Sequence, residues 1–190
     1  MISDAELMSN FQEGDDSAFD QLVERYYQHV LNYLCHQCWD KVIAEDICQD
    51  TFVKLYNSKE KYKPVTTFKA FLFTVARNVF IDNYRKMKKT KTTSLDAVYG
   101  DNSFASYIQC IMPDSGDVID SNERLTKIMA AINELPEILK DVFILSEIEQ
   151  LKYSEISEIL NIPVGTVKSR MFNAVKILQK LLQGVFTHAV

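Results

Sequence analysis

The clearest structural pattern in the chain is the stretch SEISEILNIPVGTVKSRMFNAVKILQKL at residues 154–181. Apolar residues recur every three or four positions on both sides of Asn161-Ile162-Pro163, the spacing of one buried face on each of two helices. Two helices joined by a turn of about three residues predict a helix-turn-helix. The residues predicted to be buried are Ile156, Ile159 and Leu160 on the first helix, and Val164, Val167, Met171, Ala174, Leu178 and Leu181 on the second.

The opposite face of the second helix suits DNA, because its side chains are small, hydrogen-bonding or cationic and the helix has no acid. Such a helix can enter a major groove, with Arg170 or Asn173 reaching base edges and its N-terminus near a phosphate. A merely solvated basic helix is the alternative, although that kind of helix usually mixes glutamates among its lysines. This face consists of Gly165, Thr166, Lys168, Ser169, Arg170, Asn173 and Lys176.

Residues 68–89, FKAFLFTVARNVFIDNYRKMKK, predict a helix with apolar residues on more than one face. Aromatic rings interleaved with cations suit a surface that stacks on unpaired bases and neutralises phosphates. Burial of all the rings in a core is the equally open alternative. The two stripes are Phe68, Leu72, Val75 and Val79, and Phe73, Arg77, Phe80 and Tyr84.

Residues 44–56, AEDICQDTFVKLY, predict another helix, with Ile47, Thr51 and Leu55 turned inward. Its outward face then presents carboxylates beside apolar surface. Taken alone, this pattern is more typical of a solvated acidic face than of a binding site. The outward residues are Asp46, Gln49, Asp50 and Val53.

The whole pattern predicts an all-α protein with two small helical domains joined by a flexible linker. Residues 1–90 form the first domain and start at a capping box, Ser3-x-x-Glu6. Periodicity fades over an acidic linker at 91–120, and residues 121–190 form the second domain. Helices are expected to begin near Ser3 and Asp16 and then to cover about 40–56, 67–86, 121–133, 136–149, 154–160 and 164–183.

Composition excludes several classes of protein. Five glycines and four prolines in 190 residues are too few for a sandwich or barrel. No apolar run is long enough to span a bilayer, and the N-terminus does not resemble a signal peptide, so we expect a cytoplasmic location without membrane insertion. Neither a phosphate loop nor a nucleophile elbow is present, and the three histidines have no convincing partners. The sequence therefore predicts no enzyme, catalytic residue or cofactor.

Four cysteines are too few for a secreted disulfide framework, and we expect them to be reduced in the cytosol. Cys35 and Cys38 have metal-ligand spacing, but they lie within an apolar helical pattern, where free cysteine is commonly a small buried hydrophobe. Core packing is therefore expected for Cys35, Cys38 and Cys48. Metal binding or redox sensing is the alternative.

The net charge of −5 conceals a separation of signs along the chain. Residues 59–91 hold ten basic and two acidic side chains, and residues 161–190 hold four basic and none acidic. Two basic stretches about a hundred residues apart, each next to acidic sequence, suggest two footprints on a polyanion.

These motifs resemble the extracytoplasmic-function (ECF) group of sigma factors in the sigma-70 family. Residues 44–56 resemble region 2.2, residues 68–85 resemble regions 2.3 and 2.4, and residues 135–181 resemble region 4, including PVGTVKSR at 163–170. Three motifs in this order and spacing are far more specific than any one alone. The resemblance implies a transcription initiation factor that brings core RNA polymerase to promoters.

The resemblance also implies partners. Asp46, Gln49 and Asp50, with Phe52 nearby, would dock on the clamp helices of the polymerase β′ subunit, and the β flap would be a second contact. The linker would thread polymerase channels otherwise used by RNA. An anti-sigma factor is implied as the inhibitory partner.

For promoter DNA, the resemblance assigns the −10 element to the fourth helix and the lysine-rich loop before it. Asn78 would lie near the base-reading position. A non-template base would enter a pocket within residues 61–67, and stacking and phosphate contacts would offset the free-energy cost of extruding it. The cations available to the DNA backbone are Lys61, Lys63, Arg77, Arg85 and Lys86.

The −35 element would be read by the last helix, through Thr166, Lys168, Ser169, Arg170, Phe172, Asn173 and Lys176. The sequence departs from the family pattern at Asn173, where many relatives have arginine, at Phe71, where tryptophan is common, and at Thr74, where a base is frequent. Promoter preference therefore cannot be transferred from a relative. A helix-turn-helix regulator that binds an operator without polymerase is the alternative function.

Overall fold

The regular elements in the described part of the protein are helices. The structure is a computed structural model. It describes residues 2–38, 40–90 and 119–183, the side chains of 88–90 and 119–124 excepted. Within these ranges there is no strand, which confirms the all-α prediction. The chain divides after residue 111 into two units, each described by itself below. The predicted linker lies outside the described residues except for its last two positions.

Helices α1 (Asp4–Gln12) and α3 (Lys41–Tyr56) begin at side-chain caps. Ser3 and Glu6 form the predicted capping box, in which the Glu6 carboxylate accepts from the Ser3 amide at 2.9 Å. The Asp40 carboxylate accepts from two amides in the first turn of α3. These caps satisfy amides that a helix start leaves without an intrahelical partner.

Helices α2 (Asp16–Cys38) and α4 (Phe68–Thr90) complete the first unit, and α2 packs against α1, α3 and α4. Gly14 links α1 to α2 at φ +107°, a conformation that strains any residue with a side chain. The predicted inward residues of α3 are all buried. The core of this unit includes Leu7, Met8, Phe11, Leu22, Leu34, Ala44, Ile47, Cys48, Thr51, Leu55, Leu72 and Phe73.

The second unit contains α5 (Ile119–Asn133), α6 (Glu137–Phe143), α7 (Tyr153–Leu160) and α8 (Val164–Leu181). The sequence predicts one helix over 136–149, but Ile144–Ile148 form a π-helical turn, after which the Glu149 amide donates to the Ile144 carbonyl at 3.0 Å. Apolar spacing cannot distinguish this wider turn from an α-helix, because both bury neighbouring positions.

The turn between α7 and α8 falls at Asn161-Ile162-Pro163, as predicted. Asn161 adopts the left-handed conformation, with φ 52° and ψ 51°. The Ser157 hydroxyl donates to the Ile162 carbonyl at 2.5 Å and the Ile162 amide donates to the Ser157 carbonyl at 3.1 Å. These bonds fix the angle at which α8 leaves the turn.

Replacing Asn161 with alanine is expected to destabilise the second unit by about 1 kcal/mol, because a side chain without a local hydrogen-bonding group is strained at positive φ. Asn161→Gly should cost nothing by comparison. Amide hydrogen exchange across α7 and α8 in the full chain measures both. Equal losses in the two variants would show that the Asn161 side chain, not its backbone conformation, stabilises the turn.

The cysteines only partly match their predicted state. Cys38 and Cys48 are free and buried in the first unit, and desolvation raises the pKa of both thiols to about 12. Cys35 is also buried but takes part in a disulfide, contrary to the expectation that all the cysteines are reduced. In the described ranges, no group of three or more His, Cys, Asp or Glu side chains could hold a metal ion. None of the described helices could cross a membrane.

Candidate nucleic-acid and protein interfaces

The outward face of α3 is exposed as the sequence predicts. Asp46, Gln49 and Asp50 lie in solvent, and Val53 between them and the end of the helix is 60% exposed. Carboxylates bordering an exposed apolar side chain form a surface that can bury area against a partner and pair with its cations.

Phe52 does not lie on this face. Its side chain is 7% exposed and its ring stacks against Tyr27 of α2, with 6.1 Å between ring centroids. Because the next residue along, Val53, points outward, Phe52 supports the face from inside the unit instead of lining it.

Three of the four residues predicted to contact DNA from α4 are exposed on its surface. Asn78, Arg85 and Lys86 are exposed, whereas Arg77 is partly buried. Asp82, the one acid in α4, forms an ion pair with Lys54 of α3 at 3.4 Å between nitrogen and oxygen. This pairing reduces the repulsion that Asp82 would exert on a phosphate backbone.

The aromatic residues of α4 divide between core and surface. Phe68 and Phe73 are buried, so neither ring belongs to the outer surface of α4. Phe80 is half-buried and Tyr84 is 37% exposed, with their ring centroids 6.2 Å apart. Some of the α4 rings therefore belong to the core and others to the surface. The rings left for stacking on bases are Phe80 and Tyr84.

Helix α1 anchors the lysine-rich loop before α4. The Gln12 side-chain amide donates to the Lys59 carbonyl at 2.7 Å and to the Tyr62 carbonyl at 3.3 Å. The Lys59 ammonium donates to the Phe11 carbonyl at 3.1 Å and lies over the Phe11 ring. Between these anchors Lys61 and the nearby Lys63 point into solvent. The loop thus presents its cations from a fixed base.

A cavity of about 300 Å³ lies between the start of α1 and this loop. Tyr62 and Phe68 are its buried rings, with 6.3 Å between centroids, and Val65 is 91% exposed at its edge. It falls within the segment where the sequence predicts a base pocket. The lining residues are Asp4, Ala5, Tyr62, Pro64, Val65, Thr66, Thr67 and Phe68.

Asp4 is a lining residue that the sequence does not reveal, because there it reads only as part of a helix start. Its carboxylate accepts from the guanidinium of Arg25 and, at 2.5 Å, from the hydroxyl of Tyr26. Burial, followed by the hydrogen bond to Asp4 and that residue's charge, raises the pKa of Tyr26 far above its ordinary value. The carboxylate is therefore held in one orientation from α2.

Helix α8 has one buried and one exposed face, as predicted, with Val167, Met171, Ala174 and Leu178 buried. The prediction was wrong for Val164 and Leu181, which are 38% and 40% exposed at the two ends of the helix, where fewer neighbouring side chains cover them. On the other face Phe172 is 69% exposed. The remaining predicted DNA contacts are exposed at Lys168, Ser169, Asn173 and Lys176, and half-buried at Thr166 and Arg170.

The N-terminal half of α8 is the part shaped for a groove. Gly165 leaves the first turn open, with no atom within 4 Å of where a Cβ would lie. The Ser169 hydroxyl donates to the Thr166 carbonyl at 3.0 Å and its oxygen can still accept from a base or a water. Cations, hydroxyls and an amide on one face are the groups that contact phosphates and base edges.

Both units match known family models. Residues 22–90 match sigma-70 region 2, and residues 125–178 match sigma-70 region 4. The chain is 34% identical to the ECF RNA polymerase sigma factor SigW of Bacillus subtilis, covering 90% of this chain and 92% of that one. It is 29% identical to the RNA polymerase sigma-H factor of Pseudomonas aeruginosa, covering 98% and 97%.

Solved structures share the fold. CnrH, solved with the cytosolic domain of CnrY, has a TM-score of 0.68 at 20% identity, covering 93% of this chain and 95% of that one. The sigma factor RpoE of Bartonella quintana, solved with the anti-sigma factor NepR, has a TM-score of 0.69 at 24% identity, covering 87% and 97%.

Two helical units that match regions 2 and 4 define a transcription initiation factor of the sigma-70 kind. The chain belongs to the ECF RNA polymerase sigma factors. It is accordingly not an enzyme, and the alternative of an operator-binding regulator that acts without polymerase is not supported.

Proposed function

We propose that the exposed face of α3 docks this sigma factor on the clamp helices of the polymerase β′ subunit. Asp46, Gln49 and Asp50 supply acceptors, and Val53 supplies apolar area that is otherwise left in water. A surface of this composition gains affinity where its apolar centre is desolvated and its charges meet opposite charge. The β flap is proposed as a second polymerase contact.

The −10 element is assigned to α4 and to the loop that α1 anchors. Asn78 offers both donor and acceptor groups near base edges, and Tyr84 with Phe80 offers an aromatic surface. One non-template base would leave the duplex and enter the cavity beside Val65. The cations assigned to the backbone are Lys61, Lys63, Arg77, Arg85 and Lys86.

The −35 element is assigned to the groove face of α8. Arg170 and Asn173 are the candidates for base readout, and Lys168 and Lys176 the candidates for phosphate contacts, because guanidinium and amide groups match base edges whereas an ammonium is a point charge. Thr166, Ser169 and Phe172 complete the contact face.

These assignments give each part of the chain a task. Residues 1–90 would bind polymerase and the −10 element, residues 91–120 would link the domains, and residues 121–190 would bind the −35 element. The protein would act in the bacterial cytoplasm. We also propose an anti-sigma factor as its inhibitor, because RpoE of Bartonella quintana, which shares the fold, was solved with one.

The observation that carries this proposal is that three well-exposed apolar side chains each lie on one of the three proposed surfaces. Val53 is 60% exposed on α3, Val65 is 91% exposed at the cavity and Phe172 is 69% exposed on α8. On each surface the apolar side chain lies beside polar or charged groups, a combination that can bury area against a partner and pair with its polar groups.

A photo-crosslinking amino acid placed at these three positions tests the assignment. A promoter is first selected from a library of randomised DNA, as a sequence at which core polymerase initiates transcription only when this sigma factor is present. In the resulting open complex, position 53 should crosslink to β′, position 65 to the non-template strand of the −10 element and position 172 to −35 duplex. A probe at Glu24, exposed on α2, is the control. Crosslinks from position 65 to protein alone would contradict the −10 assignment.

A further inference from the structure

The cavity beside the −10 loop contains one charged lining residue, Asp4 of α1. We propose that the Asp4 carboxylate selects the base that enters this cavity, favouring adenine, cytosine or guanine, which carry exocyclic amino groups, over thymine, which carries none. The inference rests on the proposed function, because it takes the extruded non-template base as the occupant.

The size and walls of the cavity fit one base without choosing among bases. A volume of about 300 Å³ is at the small end of ligand sites. Tyr62 and Phe68 provide ring surface, and Pro64 and Val65 provide aliphatic surface. Every base has a π-face, so contacts of this kind tolerate all four. A preference must therefore come from the polar groups.

The neutral polar groups of the cavity already have partners. The Tyr62 hydroxyl donates to the Thr66 carbonyl and the Thr66 hydroxyl donates to the Lys63 carbonyl, each at 3.4 Å. Thr67 accepts from the Ala70 amide at 3.2 Å. These bonds stabilise the loop and leave Asp4 as the strongest acceptor in the wall.

Asp4 is oriented for this role. One carboxylate oxygen accepts from Arg25 and the other from Tyr26, and the side chain remains 26% exposed. A carboxylate has about four acceptor sites, so lone pairs remain for a ligand. The Arg25 guanidinium also offsets part of the repulsion between Asp4 and the phosphates that flank an extruded base.

The chemistry of the four bases then decides the order. Enzymes that extrude a base read its Watson–Crick edge by hydrogen bonds. Adenine, cytosine and guanine present an amino donor on that edge, which a carboxylate accepts. Thymine presents one N–H between two carbonyl oxygens, and these bring partial negative charge against the carboxylate.

The test uses four promoters that differ only at the non-template position crosslinked from residue 65. The rate of open-complex formation is measured for the wild-type holoenzyme and for Asp4→Asn. The wild type should favour the amino-bearing bases over thymine by about fivefold, and Asp4→Asn should reduce this ratio to below about twofold, since an amide can also donate to a thymine carbonyl. Glu13→Gln, which makes the same charge change at an exposed residue just after α1, should behave as wild type.

A second variant separates the carboxylate from the packing of α1. Tyr26→Phe removes one of the two hydrogen bonds that orient Asp4 but keeps the carboxylate and its bond from Arg25, so the preference should be reduced less than in Asp4→Asn. Loss of preference in Tyr26→Phe to the same extent as in Asp4→Asn would overturn the inference in favour of a structural role. A wild-type preference for thymine, or no preference among the four bases, would also overturn the inference. If the inference fails but open complexes form and position 65 crosslinks to DNA, the proposed function stands. If no open complex forms and position 65 does not crosslink to DNA, the proposed function fails as well.

Discussion

Replacing Arg170 with alanine is expected to weaken binding of the holoenzyme to −35 duplex by about 30-fold. A guanidinium that meets a base edge with two hydrogen bonds contributes about 2 kcal/mol of discrimination. Arg170 is half-buried on α8, one residue before the buried Met171. Fluorescence anisotropy of labelled promoter DNA with reconstituted holoenzyme measures the effect.

The matched control is Lys180→Ala, which removes a cation from the last turn of the same helix, where the side chain is exposed. It should weaken binding by less than about threefold, because a distant cation contributes only through the screened field. Both variants should bind core polymerase as the wild type does. A loss of equal size in both variants would mean that α8 acts through its net charge and not through Arg170.

Asn173 adds a second expectation on the same helix. It is exposed one turn after Arg170, at a position where the family resemblance leads us to expect arginine. An amide pairs with adenine by two hydrogen bonds, whereas arginine pairs with guanine. The −35 sequence preferred by this protein should therefore differ from that of arginine-bearing relatives at the base that this residue meets.

Helix positions and inward faces were predictable from the sequence, because a helix that buries one face needs apolar residues every three or four positions, and this spacing is visible in the sequence itself. The three inward residues predicted for α3, Ile47, Thr51 and Leu55, are buried, and the turn at Asn161 is where the sequence places it. The same local logic misses the π-helical turn at 144–148, since a wider turn buries the same apolar residues.

The cavity was predictable only as a segment of loop, because its other wall comes from residues far away in sequence. Asp4 reaches it through contacts with Arg25 and Tyr26, more than twenty residues along the chain. Phe52 is a second case, because the resemblance places it near the polymerase face but does not show that it lies beneath that face, packed against Tyr27. Tertiary partners of this kind leave no periodic signal in the sequence.

Asp50→Ala is expected to raise the dissociation constant for core polymerase by about tenfold, which corresponds to 1.4 kcal/mol. Asp50 is exposed beside Val53 on α3, and a charge at the border of a desolvated apolar group contributes more than one at a solvated rim. Its loss removes a hydrogen-bonding partner for the polymerase. Competition between labelled wild type and each variant for core enzyme measures the change.

Asp20→Ala is the matched control, since Asp20 is exposed on α2 and its replacement makes the same change in charge and size. It should leave polymerase binding within about twofold of wild type, and a larger loss would mean that overall acidity, not the α3 face, drives docking. Once holoenzyme is saturated, Asp50→Ala should bind −35 duplex as tightly as wild type, whereas Arg170→Ala should show the reverse pattern. Opposite patterns from residues in separate units follow only if each unit carries its own contact, because a general loss of folding would weaken both kinds of binding in both variants.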